Sequence, residues 1–263
     1  TDIFEEDIHI NEIITLDKEK DGLGGFFKLS KELKKRNFDK AFIFNSSLRY
    51  NLVGKFSGIK SVRQYPLFRS RDNIVHSAKV FTENIIGHVV STEPNLKIKN
   101  KEINFDKNLK HVCLGISASG PTKRWGINNY LNLCRELIKI RNCKFYIAAG
   151  KNDINLINIL KNSDVGINCE SFEKLSIRET LPIIKNCDCY IGSDTGFAHL
   201  SVALGVRALT LFMDSPVMAY GRYSSRMITV EPEGENESTK HNTLGKEKIS
   251  FSKVLSEATK LLN

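Results

Sequence analysis

In the second half of the chain, two hydrophobic periods take turns. Runs of consecutive apolar residues alternate with segments in which apolar positions recur every three to four residues, the pattern of buried strands followed by amphipathic helices. Strands are expected at His111 to Ile116, Cys143 to Ala149, Gly166 to Cys169, Cys187 to Ile191 and Ala208 to Phe212, the last of the series. Helices are expected at Ile127 to Ile140, Ile154 to Lys161, Ser176 to Lys185 with Pro182 inside it, Gly196 to Leu204, and Phe251 to Leu262 after a polar loop from Glu233 to Lys248. Such βα alternation predicts an α/β fold: a parallel sheet with helices on both faces and a ligand crevice at the carboxyl ends of the strands.

The first half is less regular. Ile8 to Leu16 alternates well enough for a short strand, and Gly22 to Gly25 reads as a flexible turn. Phe26 to Arg36 places Phe26, Leu29 and Leu33 at helical spacing with Lys28, Lys31, Lys34 and Lys35 on other faces. Phe38 to Asn45 reads as a buried strand, followed by a helix through Val53 and Phe56 to Gly58, and His76 to Ile86 as a further helix. The polar stretch Ser91 to Lys110, which carries Pro94, suggests a linker centred on residues 98–108, and so two domains, 1–100 and 101–263.

Composition narrows the setting. The chain has 263 residues, 41% hydrophobic and 26% charged, enough for one large core or two ordinary ones. No apolar run approaches the roughly 20 residues that span a bilayer, and the acidic start Thr1 to Asp7 is the opposite of a signal-peptide n-region. A cytoplasmic location is expected. All six cysteines lie in the second half, several inside apolar runs, and are read as reduced core thiols. Cys187-x-Cys189 lacks metal-ligand spacing, so no metal site is expected. A formal charge of +9 suggests an anionic partner. No RNA- or DNA-binding module accompanies that charge, so a nucleic-acid partner is not expected.

Candidate chemistry gathers at three strand ends. After the strand at 111–116, Ser117, Ser119, Lys123 and Arg124 offer hydroxyls and cations to phosphate oxygens. The only tryptophan, Trp125, is expected to pack under the next helix. After the strand at 143–149, Asp153 either accepts from a ribose hydroxyl or caps the following helix. After the strand at 187–191, Ser193 to Gly196 opens a helix whose free N–H groups and dipole suit an anion, with His199 one turn in. Lys123, opposite the Thr195 and Gly196 amides, is the candidate catalytic group, stabilising charge on a departing diphosphate. Asp194, an anion beside an anion site, is expected to cap the helix, hold Lys123 or meet a sugar hydroxyl.

Three blocks together resemble the ADP-heptose:lipopolysaccharide heptosyltransferases of glycosyltransferase family 9. They are Lys123-Arg124-Trp125 after a small-residue turn, Ser193-Asp194-Thr195-Gly196-x-x-His199-Leu200 followed by Ala203-Leu204-Gly205, and Leu211-Phe212 leading to Asp214-Ser215-Pro216. The resemblance implies a GT-B architecture of two Rossmann-like domains facing a cleft. It places Ser117, Ser119 and Lys123 near the donor phosphates and Asp194, Thr195, Gly196 and His199 around the diphosphate and sugar. It implies an inverting, metal-independent transferase without a cofactor, which moves heptose from ADP-heptose onto the anionic lipid A and Kdo inner core. Peripheral contact with the inner face of the inner membrane goes with that acceptor. Family members begin with a strand, a turn bearing an Asp thought to act as base, a helix and a second strand. This chain is expected to enter its N-terminal domain after them, as a truncated chain or a natural short form. A non-catalytic nucleotide-sugar or lipopolysaccharide-binding protein is the alternative from another class, and a GT-B sugar-nucleotide epimerase the alternative enzyme.

Overall fold

The computed structural model describes residues 3–5, 7, 9–18, 21–65, 73–99, 101, 103–233 and 248–263. Most of the loop expected at 233–248 lies outside the described residues. The chain divides into two compact units, one of residues 10–91 and one of residues 92–263 joined by the segment 2–9.

The first unit comprises α1 (Gly22–Lys34), β1 (Lys40–Ile43), α2 (Leu48–Phe56), β2 (Ser61–Gln64) and α3 (Ile74–Ile86). β1 and β2 pair in parallel, Lys40 opposite Ser61 through Ile43 opposite Gln64. α2 makes the crossover. It lies close to β2 because Gly54 has no side chain: a Cβ there would stand 3.1 Å from Val62 Cγ2. Three expectations change here. The strand expected to be buried over residues 38–45 forms as Lys40–Ile43 but is half exposed, with Phe38, Phe42 and Phe44 at 43–59%. The glycine cluster is not a turn before a helix but the first turn of α1, with Gly25 buried. Of the strand expected over residues 8–16, Ile8 lies outside the described residues and residues 9–16 form none. Ile10, Ile13 and Leu16 are exposed, and the two-stranded sheet has no further partner among the described residues. An alternating pattern without a ladder to join leaves its backbone groups to water.

The second unit holds β3 (Lys110–Gly115), α4 (Ile127–Ile140), β4 (Cys143–Ile147), α5 (Ile154–Lys161), β5 (Cys169–Ser171), α6 (Ile177–Lys185), β6 (Cys189–Ser193), α7 (Gly196–Ala203), β7 (Arg207–Leu211), α8 (Val217–Tyr220), β8 (Met227–Val230) and α9 (Phe251–Leu262). Its six strands are ordered β5-β4-β3-β6-β7-β8 and every pair is parallel. This is the doubly wound order of dinucleotide-binding sheets, and its direction of winding reverses between β3 and β6. Residues 166–168 form a 3-10 turn and β5 starts only at Cys169. β8 is an additional edge strand, so β7 does not end the sheet.

One core holds the second unit together. α4 buries Tyr130, Leu133, Cys134 and Leu137, the i, i+3, i+4, i+7 stripe of an amphipathic helix. α9 buries Val254, Ala258 and Leu261, and both stripes meet Val112, Leu114, Ile191 and Leu209 of the sheet. α6 starts where Ser176 and Glu179 exchange capping bonds. Trp125 is buried under α4 as expected: its Nε1 donates to the Ile249 carbonyl at 3.0 Å and its ring meets Tyr130 edge-on. All six cysteines are buried and unpaired, and burial pushes every thiol up, which keeps the nucleophilic thiolate scarce. Among the described residues no helix is long and apolar enough to cross a membrane.

Candidate functional site

The carboxyl ends of β3 and β6 lie side by side at the point where the strand order reverses, the place where sheets of this kind bind ligands. Gly115 and Gly192 face each other in register across that junction. The approach is too close for any side chain. A Cβ on Gly192 would stand 2.5 Å from Gly115 Cα, and one on Gly115 would stand 1.9 Å from the Tyr190 hydroxyl oxygen. Two buried phenols lock the pair of strand ends. Tyr190 donates to the Ser193 carbonyl at 2.8 Å and lies 3.4 Å from Thr195 Oγ1. Tyr130, reaching from α4, donates to the Gly115 carbonyl at 3.0 Å and lies 3.2 Å from Ser193 Oγ. Burial pushes both phenols far up, so they remain neutral donors.

Beyond β6 the chain turns through Asp194 and Thr195 into α7. Thr195 is the N-cap residue and makes no side-chain cap bond; its carbonyl takes the Ala198 amide at 3.0 Å, which leaves the Gly196 and Phe197 amides of the first turn without an intrahelical acceptor. Around the Cβ position of Gly196 there is open space. The first turn of α7 therefore presents N–H groups and the positive end of a helix dipole where nothing blocks an anion.

Asp194 does not cap this helix. Its Oδ2 accepts from Ser215 Oγ at 2.6 Å, and its Oδ1 lies 3.2 Å from His199 Nε2. The other ring nitrogen of His199, Nδ1, is 2.7 Å from the Tyr223 hydroxyl, and the two rings stack at 5.7 Å. Tyr223 is buried, and burial with the negative charge of Asp194 pushes its phenol up to about 12. A carboxylate and a neutral phenol thus hold the imidazole from opposite sides. The Tyr223 loop is itself clamped from residues 93 and 94: Ser224 Oγ and the Ser225 amide donate to Glu93 at 2.5 and 2.6 Å, and Arg226 donates to the Pro94 carbonyl at 2.8 Å.

Asp153 does not cap α5 either. It takes Ser117 Oγ at 2.7 Å on one oxygen and Arg124 Nη2 at 2.9 Å on the other. That ties the loop after β3 to the loop after β4. A third aspartate joins the loops after β3 and β7, which flank β6: Thr122 donates to Asp214 at 2.6 Å, and Asp214 sits at φ +50, rare outside glycine. Each carboxylate of the site holds a hydroxyl from another loop, so three loops are fixed around the end of β6.

The structure thus brings Ser117 together with Asp153, and Asp194 with His199, while Thr195 and Gly196 share the α7 terminus. Lys123 is half-buried in the 3-10 turn Pro121–Lys123, next to the bonded Thr122, and no side chain among the described residues pairs with its ammonium. Ser119 is exposed. Tyr223, Tyr130 and Thr122 escape a sequence reading because each acts through a partner far along the chain, whereas Tyr190 bonds to Ser193 and Thr195 only three and five residues on. Ser215 stands in the Asp214-Ser215-Pro216 block, but its partner Asp194 is 21 residues away.

The model of glycosyltransferase family 9 (heptosyltransferase) matches residues 70–249. Lipopolysaccharide heptosyltransferase 1 of Campylobacter coli is 27% identical over 138 residues, a match that spans 49% of this chain and only 39% of that relative's length. Among solved structures, the glycosyl transferase family 9 protein of Veillonella parvula aligns with a TM-score of 0.79 at 16% identity, over 99% of this chain and 85% of that one. The ADP-heptose lipopolysaccharide heptosyltransferase II of E. coli aligns with a TM-score of 0.68 at 18% identity, over 91% of this chain and 81% of that one. At such identities the likeness concerns the fold, and the α/β, GT-B-type fold expected from the sequence is the one shared.

Proposed function

The chain belongs to glycosyltransferase family 9, and from that premise we propose that it transfers heptose from ADP-heptose to an anionic lipopolysaccharide inner-core acceptor. The observation that carries the reading is the open amide terminus of α7 at the β3–β6 reversal, with Lys123 in the loop beside it. An acceptor hydroxyl attacks the anomeric carbon and releases its proton to solvent, the bond from that carbon to the diphosphate oxygen breaks, and the configuration inverts. Negative charge grows on the departing ADP. Lys123 and the Thr195 and Gly196 amides meet that charge without a metal ion, a fixed electrostatic arrangement that strengthens as the bond breaks. Ser117 and Ser119 lie in the same loop as Lys123 and serve the phosphates.

Asp194 and His199 take the sugar side. Asp194 is already engaged by Ser215 and His199, so it orients the imidazole and meets a sugar hydroxyl rather than a phosphate. Asp153, with both oxygens occupied, holds the Ser117 and Arg124 side chains in place and keeps lone pairs for a ribose hydroxyl. The location in this reading is cytoplasmic, at the inner face of the inner membrane where a glycolipid acceptor is presented.

Titration calorimetry with ADP, UDP and GDP tests the donor half. ADP is expected to bind most tightly, and indifference to all three nucleotides would sink the reading. A second reading, nucleotide-sugar binding without turnover, is favoured by one observation: Asp153, Asp194 and Asp214 each already hold a hydroxyl group of the protein. Transfer of heptose to a heptose-free acceptor by the 263-residue chain separates the two. Turnover supports the enzyme, and ADP binding without turnover supports the binding protein.

A further inference from the structure

The positive charge of the chain is concentrated in one place. Residues 22–60 hold nine Lys and Arg against two Asp and Glu, so this stretch carries +7 of the chain's formal +9. The stretch folds into α1, β1 and α2 of the first unit, and on the two helices the same surface that carries lysines also exposes large apolar side chains. Leu23 is 82% exposed and Phe27 62% on α1; on α2, Leu48, Leu52 and Phe56 are exposed at 47–62%.

Helical spacing makes these residues stripes rather than scatter. Leu23 and Phe27 are one turn apart, and Lys31 and Lys34 continue their line. Leu48, Leu52 and Phe56 are spaced by four, with Lys55 beside the last. Phe26 joins the helices: its ring meets Phe27 at 5.2 Å and Phe56 at 5.3 Å, both edge-on. Neither stripe faces the core, since α1 buries Gly25, Leu29 and Ser30 and α2 buries Val53 and Gly54. The one acidic side chain on α1, Glu32, lies 3.4 Å from Arg36. An apolar ridge edged by lysines has the composition of an interfacial helix surface that meets anionic lipid.

We propose that the α1–α2 ridge docks the protein on an anionic bilayer surface. Leu23, Phe27 and Phe56 enter the boundary between headgroups and acyl chains, while Lys31 and Lys55 meet lipid phosphates. Nucleic acid would match the charge and could stack on phenylalanine, but it gains nothing from exposed leucines, whereas a bilayer uses all of them. The proposal rests on the reading of a membrane-borne acceptor for its purpose, and on the first unit alone for its chemistry.

Flotation of the 263-residue chain with vesicles tests it. The protein is expected to float with phosphatidylcholine–phosphatidylglycerol vesicles, to stay behind with phosphatidylcholine alone, and to be released by salt. Replacing Phe27 and Phe56 together by Ser is expected to weaken partitioning about tenfold, and Lys31→Gln and Lys55→Gln about fivefold each. All four side chains are exposed, so circular dichroism and ADP affinity are expected to match wild type. Absence of wild-type protein from the anionic vesicles overturns the proposal. So does flotation of the variants like wild type, or binding to an RNA homopolymer with no binding to vesicles. A protein that floats but binds no nucleotide overturns the donor reading and leaves the docking surface standing.

Discussion

Lys123→Ala is expected to lower the kcat of heptosyl transfer by about 10²- to 10³-fold and to weaken binding of the intact ADP-heptose donor by only about tenfold. The asymmetry is the point of the experiment. In the bound donor the diphosphate charge is shared with the glycosidic bond, and the full charge resides on ADP only as that bond breaks. A half-buried ammonium that no side chain among the described residues pairs with can follow the change, and an interaction stronger in the transition state than in the ground state appears in kcat. Lys123→Arg keeps the charge but replaces a compact ammonium with a planar fork, so it is expected to recover part of the rate. Steady-state kinetics with ADP-heptose, run beside calorimetry with ADP-heptose in the absence of acceptor, reads both quantities. Equal losses in the two would reduce Lys123 to a binding residue, and unchanged kinetics would remove it from the site.

Gly192→Ala is expected to destabilise the second unit by about 3 kcal/mol, lowering Tm by roughly 6–12 °C for a unit of this size, and to abolish tight ADP binding with it. The new Cβ would meet Gly115 Cα at 2.5 Å, its carbonyl oxygen at 2.5 Å and its nitrogen at 2.6 Å. These are backbone atoms, so no rotamer change relieves the clash and β3 and β6 must part at their ends. Gly115→Ala meets Tyr190 instead, and Tyr190→Phe does not rescue it because Cζ remains 2.5 Å away. Gly196→Ala is the contrasting control. Open space surrounds its Cβ position, so Tm is expected to hold while ADP affinity falls, the signature of a methyl group placed where phosphate approaches. Scanning calorimetry with and without ADP separates the two glycines, and equal Tm values for Gly192→Ala and wild type would refute the packing argument.

Much of the second unit is readable in the chain because burial imposes period. The Ile127–Ile140 and Phe251–Leu262 helices stand where their stripes put them, as Leu133, Leu137, Val254 and Leu261 have only one core to enter. Edge elements are harder to read. Ser61–Gln64 and Met227–Val230 are four residues long and lie at sheet edges, so neither carries a continuous apolar run. The opposite error occurs at residues 8–16, where an alternating pattern finds no strand to pair with. Gly22 to Gly25 reads as a turn because intrinsic propensity disfavours glycine in helices, yet packing of the buried Gly25 and Leu29 outweighs that preference.

The site divides along the same line. Strand–turn–helix grammar locates Ser117, Asp153 and the Thr195–Gly196 terminus, since each follows a buried strand. Grammar says nothing of which acid holds which hydroxyl. The Ser117–Asp153, Thr122–Asp214 and Ser215–Asp194 pairs join residues 36, 92 and 21 positions apart, and only the sheet order β5-β4-β3-β6-β7-β8 makes them neighbours. Local sequence therefore gives the helix-terminus side of the site more readily than the Asp194–His199 side, where His199 depends on a phenol 24 residues away.

The Glu93 clamp bears on where the second unit can be cut free for study. A polar, lysine-rich stretch near residues 98–108 invites a cut there. A fragment beginning at such a point would leave behind the carboxylate that gathers Ser224 and Ser225 and the Pro94 carbonyl that receives Arg226. It would leave behind, too, the Leu96 amide that donates to the Ala203 carbonyl at the end of α7. The smallest self-sufficient piece on this account starts no later than Thr92, because a few residues of extended chain ahead of the first strand brace the tyrosine that steadies His199.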